Sequence, residues 1–305
     1  MMRLVFLGTG SGWPTKKRNV SSIVLAMNGE VLLLDCGEGT QRQLLYTSVS
    51  FMKIDRILVT HLHGDHILGI PGLIQSMALA GRERPLEILG PSGISEAVDM
   101  FLSIGEFSRS FDVRVRTMTG GESLDTGRYV ITAAEAEHTV PALAYSVEEK
   151  ERPGQFDREK AISMGVPEGP LFGRLQRGEA VEVNGRTIHP SDVLGLPRRG
   201  RKVVYSGDTL PCEAVLRLAH GADVLIHEAT FSDELRDKAA EFGHSTALQA
   251  AEIAHKAGVK RLFLTHISPR YDDPSALLEE AKSVFEETYM AEDFTEFPVP
   301  LPEAQ

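Results

Sequence analysis

Three histidines and an aspartate fall within six positions of the stretch THLHGDHILG, Thr60 to Gly69, and few folds can use such a cluster. Ahead of it, Ile54, Ile57, Leu58 and Val59 form an apolar run that predicts a buried strand ending at Thr60. Behind it, Ile67, Leu68, Ile70, Leu73 and Ile74 predict a helix or helical loop. His61, His63, Asp65 and His66 therefore stand where a strand hands over to a turn, and Gly64 and Gly69 ease the bend. Imidazole and carboxylate are the ligand set of zinc and comparable transition metals. One ion would not take all four. His61 and His63, two apart, can point the same way, whereas Asp65 and His66 continue around the turn, so the spacing predicts two adjacent metals. A polar loop of solvated histidines is the alternative.

A chain of 305 residues can bury a large core without staples, and one domain spanning 1–305 is expected. Cys36 and Cys212 make neither a disulfide framework nor a C-x-x-C pair, which predicts a reducing cytoplasm. No signal peptide or transmembrane span is expected, so no membrane partner either. A net charge of −11, taken alone, weighs against nucleic acid as a partner, but the way the charge is distributed points toward one. From Lys150 to Val204 there are 11 Lys or Arg against 7 Asp or Glu, a balance of +4 that leaves −15 elsewhere. RRGRK, Arg198 to Lys202, is the densest basic run. Glu279 to Glu303 holds eight acids against Lys282 alone and is expected to be a solvated helix and terminus.

In chain order, Leu4 to Leu7, Ser22 to Met27 and Val31 to Asp35 read as strands, with a helix over Gln41 to Leu45. The turn GTGSGWP has glycines at 8, 10 and 12 and no helix after it, which argues against a dinucleotide-binding loop. Further strands are expected at Leu86 to Leu89, Val113 to Thr117, Arg128 to Glu135, Leu143 to Val147, Val203 to Tyr205, Val224 to Ile226 and Arg261 to Thr265. Helices are expected after Ser92, at Glu213 to Leu218 and at Ser245 to Lys256. Strands followed by helices, twice over, predict an α/β protein of two packed sheets with helices outside. The segment from about 150 to 202 reads as a long surface loop with a short helix near Phe156 to Met164. His138, Asp208 and His266 each follow a predicted strand; singly each reads as a satisfied or exposed polar residue, but their shared placement predicts a common edge of the sheets, whereas His189, His220 and His255 lack that context and read as ordinary.

The H-x-H-x-D-H loop, the later single His, the later Asp and the final His together resemble the metallo-β-lactamase superfamily. The resemblance implies an αβ/βα sandwich carrying two metals at one edge. Within it the chain is similar to the ribonuclease Z family of tRNA 3′-processing endonucleases, through PTKKRN (Pro14 to Asn19), LLLDCGEGTQRQL (Leu32 to Leu44) and HEAT (His227 to Thr230), the last like that family's substrate-side loop. GVPEGPLFGRLQRG, Gly165 to Gly178, resembles its flexible tRNA-gripping arm, here inserted at about 150–202 with Gly169 and Pro170 at its Gly-Pro step.

By that resemblance His61, His63 and His138 hold one zinc, Asp65, His66 and His266 the other, and Asp208 bridges them; manganese or iron would suit the same ligands. Asp35 looks like a carboxylate orienting a ligand histidine, or else a strand-end acid capping its own turn. In paired-metal hydrolysis Asp65, ligand and neighbour of the water, is the expected general base. His244, in EFGHST, matches the family's catalytic position and is the expected general acid, the alternative being a plain helix-start residue. Glu228 could orient it. Lys16, Lys17 and Arg18 could clamp the acceptor stem or 3′ end, and Arg270 could bind a phosphate or be an ordinary surface arginine.

The expected function is a zinc-dependent endoribonuclease that removes the 3′ trailer of precursor tRNA as a homodimer, leaving a 3′-hydroxyl on the tRNA and a 5′-phosphate on the trailer. A small-molecule phosphodiesterase or lactonase on the same fold would not need PTKKRN or the arm. An RNA-binding protein with a structural metal would not need His244 or an open water position.

Overall fold

The structure, a computed structural model, describes residues 2–27 and 29–302. Its centre is a pair of seven-stranded sheets. The first has the order Glu296–Val299, Met2–Gly8, Ser22–Met27, Glu30–Leu34, Ile54–Leu58, Leu86–Gly90 and Val113–Thr117. The second runs Thr288–Met290, Leu262–Thr265, Val224–Glu228, Lys202–Tyr205, Ala142–Glu149, Tyr129–Ala136 and Ser123–Asp125.

The sheets are inner layers, and the strand sequences say why. In Met2–Gly8, Met2, Leu4 and Phe6 join the core between the sheets, alongside Tyr145, Ile226 and Phe263. Val5 and Leu7 face the other way, onto Ile70, Leu73, Met77 and Val98 of the helices Gly69–Leu79 and Ile94–Ser103. Burial on both faces demands an apolar residue at nearly every position, hence runs rather than alternation. The second sheet is covered by Ala247–Ala257, whose Ala247, Ala250, Ala251, Ala254 and Ala257 recur at helical spacing against Val204, Leu225 and Leu264. That helix begins where Thr246 caps Gln249 and Gln249 returns the bond, and ends at Gly258 in the left-handed region. No helix among the described residues is long and apolar enough to cross a membrane.

The segment expected as a long loop is a small folded unit instead. It contains the helices Arg158–Ser163, Pro170–Gln176 and Pro190–Val193 and the hairpin Val181–Val183/Arg186–Ile188, closed over Ala161, Val166, Leu175, Val181, Ile188 and Val193. Gly169, at φ 134°, and Pro170 form the entry to the second helix, with Pro in the first turn where its missing N–H costs nothing. A two-stranded neck joins the unit to the sheet. Arg152 and Arg198 exchange backbone bonds at 2.8 and 2.9 Å, and Gly195 N donates to Gln155 O at 2.9 Å.

Three of the four cations of RRGRK, the densest basic run, are bonded within the fold and add little to the positive balance that pointed toward nucleic acid. Arg201 forms a buried fork with Glu149 at 2.6 and 2.7 Å and donates to the Val299 carbonyl. Arg199 forks onto Asp223 at 2.7 and 3.0 Å, and Lys202 Nζ donates to the His220 carbonyl. Removing one member of a buried pair strands the other's charge. Arg201→Ala is therefore expected to cost about 3–5 kcal/mol of unfolding free energy, measured by denaturant titration; a loss under about 1 kcal/mol would mean that the pair behaves like an exposed one. The acidic tail also departs from expectation. Asp293 is largely enclosed and accepts bonds from Asn19 N, Thr9 Oγ1 and Gln43 Nε2 at 2.7, 2.8 and 3.0 Å. Burial pushes its carboxyl above the usual range.

Candidate metal centre

Strand ends build the site. His61, His63, Asp65 and His66 follow Ile54–Leu58, His138 follows Tyr129–Ala136, Asp208 follows Lys202–Tyr205 and His266 follows Leu262–Thr265. Both sheets thus contribute ligand-type groups along one common edge. Two backbone features tighten it. His266 sits at φ 58° and Asp35 at φ 55°, a region non-glycine residues enter at a cost. Gly207, at φ 60°, lies where a Cβ would come within 2.7 Å of the Thr60 side chain, so the Asp208 loop closes only with glycine there.

The donor atoms form two groups. Donors at the corners of a tetrahedron with bonds of about 2.0–2.1 Å stand roughly 3.3 Å apart. His66 Nε2 and His266 Nε2 are 3.4 Å apart, and each lies 3.3 to 3.6 Å from Asp65 Oδ2 and from Asp208 Oδ2. His61 Nε2, His63 Nδ1 and His138 Nε2 lie 3.0 and 3.3 Å apart in succession, and His61 Nε2 is 3.6 Å from the same Asp208 Oδ2. That one oxygen is therefore a corner of both groups.

The outer contacts fix which nitrogen faces inward. His66 Nδ1 donates to Asp35 Oδ2 at 2.8 Å and His138 Nδ1 to the Gly243 carbonyl at 2.7 Å. Thr60 Oγ1 donates to Asp35 and Thr230 Oγ1 to Glu228, so each hydroxyl can only accept from its histidine, His61 at 3.1 Å and His266 at 2.9 Å. All four rings then turn Nε2 to the centre, the nitrogen that must be free of its proton when a metal binds. Asp35 also accepts from Thr60 N and Tyr205 Oη, at 2.7 and 2.9 Å. Every one of these partners is at least 25 positions away in the chain, so Asp35 is not capping its own turn.

Charge agrees with this geometry. Burial, then the neighbouring His66, pushes His61 well below the ordinary histidine range. Burial opposes the charged form of His66 too, but Asp208 and Asp35 hold it well above that range. Without an ion the carboxylates at the centre rely on His66 for positive charge, a place a divalent cation would fill. The donor types, their spacing and their oriented outer nitrogens fit a pair of metal ions.

His244 is not in the predicted ligand set, although its ring also falls into a group of potential donors with Asp208 and His266. Its Nδ1 is 2.8 Å from Glu228 Oε1 and 3.9 Å from Asp208 Oδ2. Burial works against a charged ring, but the Glu228 carboxylate outweighs it, and His244 is pushed up to about 9. Glu228 is fully buried and held by Thr209 N, Thr230 N and Thr230 Oγ1. HEAT is thus a buried support under His244 and His266, which corrects its reading as a substrate-side loop; His227 Nδ1 bonds the Glu228 carbonyl inside the second sheet.

The expected substrate contacts divide. Lys16 and Lys17 are exposed and line a cavity of about 840 Å³ with Ser268, Tyr271 and Asp272. Arg18 points inward, donating to Thr9 Oγ1 and the Ala291 carbonyl at 2.6 Å, and Lys17 Nζ donates to the Asp272 carbonyl at 2.9 Å. Arg270 lies over the Phe231 ring at 4.8 Å, and that ring is 6.1 Å from His244. Gly169 and Pro170 are in the inserted unit, outside the donor groups. Sequence reasoning passed over Thr60, Tyr205, Thr230 and Gly243, because hydroxyls and a carbonyl carry no metal-ligand signature.

Comparison with known proteins places the chain. Residues 2–141 match the profile described as anti-Pycsar protein Apyc1, and residues 174–267 match a β-lactamase superfamily domain. The ribonuclease Z of Methanothermobacter thermautotrophicus is 54% identical over 96% of this chain and 95% of its own, and that of Methanosarcina mazei is 48% identical over 98% and 99%. The structure of the short form of human tRNase Z superposes with a TM-score of 0.72 at 29% identity, covering 98% of this chain and all of that one. The chain belongs to the ribonuclease Z family and is an enzyme of the metallo-β-lactamase fold.

Proposed function

We propose that the chain is a zinc-dependent endoribonuclease that cuts the 3′ trailer from precursor tRNA in the cytoplasm. The observation that carries this reading is the pair of donor groups sharing Asp208 Oδ2, with His244 beside them and backed by Glu228. His61, His63 and His138 would hold one ion, Asp65, His66 and His266 the other, with Asp208 common to both. Two such ions would supply positive charge to the phosphoryl oxygens and acidify a water. Asp65 takes the proton of the attacking water. A new P–O bond forms to that water as the bond to the upstream 3′ oxygen breaks in line, and His244 gives that oxygen its proton. Lys16 and Lys17 hold the RNA backbone near the centre, with Arg270 at the His244 side.

The products test this. Incubation with a precursor tRNA and sequencing of both product ends should show a 3′-hydroxyl on the tRNA and a 5′-phosphate on the trailer. A 2′,3′-cyclic phosphate would mean attack by the RNA's own hydroxyl and would overturn the mechanism.

The inserted unit is the tRNA grip in this reading, and in a homodimer the arm of one subunit holds the substrate cleaved by the other. Its exposed Lys160 and Arg186 have no acidic partner among the described residues. Replacing residues 154–196 by a short linker keeps the Arg152–Arg198 neck and the Glu149–Arg201 fork. That variant should bind precursor tRNA at least about tenfold more weakly, with a shallower salt dependence, while hydrolysing a small phosphodiester as before. Equal loss of both activities in a folded variant would refute the grip.

A further inference from the structure

Trp13 is the chain's one tryptophan, and 65% of its surface is open to solvent. Aromatic rings contribute most to a fold when buried, so an indole left in water is not serving the core. No ring or cation among the described residues is stacked on it. Its mounting is nonetheless tight. Trp13 N donates to Ser11 O at 2.9 Å, Ser11 N to Ile267 O at 3.1 Å, and Gly12 N to Asp65 Oδ2 at 2.8 Å. The indole is thus carried on a turn pinned to two points of the metal centre: the Asp65 carboxylate and the residue after His266. On its other side the chain runs through Pro14 into Thr15 to Lys17, where Lys16 and Lys17 line a cavity that Ile267, the residue after His266, also lines.

We propose that Trp13 is a stacking platform for an unpaired nucleobase of the substrate, one of the two bases that flank the phosphodiester to be cut. The inference rests on the RNA-cleaving reading above and adds a recognition element to it. A phosphodiester drawn into the centre has a base on each side, and a base that leaves its own stack there needs a new face. Between a site that handles phosphate and a pair of cations that hold the backbone, an exposed aromatic plane is the group that can receive one. Every base has a π face, so such a platform positions the strand without reading its sequence.

The test is a double-mutant cycle. Wild type, Trp13→Ala and Trp13→Phe are each assayed on precursor tRNA with intact bases or with an abasic nucleotide at one or the other flanking position. Trp13→Ala should lower kcat/KM by roughly 5- to 150-fold, Trp13→Phe should recover most of that, and thermal stability should not change. At one flanking position the abasic substitution should slow the wild type but leave Trp13→Ala unaffected. The emission of the single tryptophan should also be quenched by intact precursor bearing a non-cleavable scissile linkage, and not by the matching abasic RNA. Additive losses at both positions, or emission indifferent to the base, would overturn the stacking role while precursor cleavage by the wild type still stood. Absence of any precursor cleavage by the wild type would instead remove the parent reading, and this one with it.

Discussion

Asp208→Ala should empty both metal positions rather than one. Its Oδ2 lies 3.6 Å from His61 Nε2 and 3.3 Å from His266 Nε2, so the same atom completes both donor groups. Elemental analysis of the wild type should give close to two zinc-like ions per chain, and the variant should approach none. Transition-state stabilisation by such ions is worth several kcal/mol, and each factor of ten in rate is about 1.4 kcal/mol. Hydrolysis of precursor tRNA and of a small phosphodiester should therefore fall together, by at least about 10³-fold. Circular dichroism would confirm that the variant folds. One ion retained at full occupancy would show that the two groups are independent and that Asp208 bridges nothing.

The second large effect is expected at His244. A proton donor on the leaving oxygen contributes roughly 10² to 10⁴ in rate, so His244→Ala should lose that much in kcat while metal content and tRNA affinity stay near those of the wild type. Glu228→Gln keeps an acceptor for Nδ1–H and removes the charge that holds the ring protonated, so its loss should be smaller than that of His244→Ala. Loss of metal from His244→Ala would make the residue a ligand, a role its 3.9 Å approach to Asp208 leaves open to measurement.

Much of this was legible in the sequence because catalytic metals need unusual residue types at fixed places. A buried strand followed by H-x-H-x-D-H is a local signal, and His138, Asp208 and His266 were visible because each follows an apolar run. The two-sided burial of strands such as Ser22–Met27 likewise left runs that could be read directly. The inserted unit was not legible. Its core draws residues from three short helices and a hairpin, none long enough to show a period. Charge counting misjudged RRGRK, since composition cannot tell an arginine facing solvent from one forked onto Glu149 across the chain. Asp293 was misjudged for the same reason: its partners Thr9, Asn19 and Gln43 are about 250 or more positions away.

The placement of Asp35 has a further consequence. Its carboxylate takes bonds from Thr60 and His66 of the first sheet's loops and from Tyr205 of the second sheet. The potential donors are divided in the same way, with His61, His63, Asp65 and His66 from one layer and His138, Asp208 and His266 from the other. Any ion that binds there ties the two halves of the sandwich together, and it can do so only after they have docked. Metal affinity and sheet docking are then one linked equilibrium: a ligand at about a thousand times its Kd adds roughly 4 kcal/mol to the docked state. The donor edge would in this sense also be a clasp, and with an ion bound there the folded population would follow the metal supply of the surroundings.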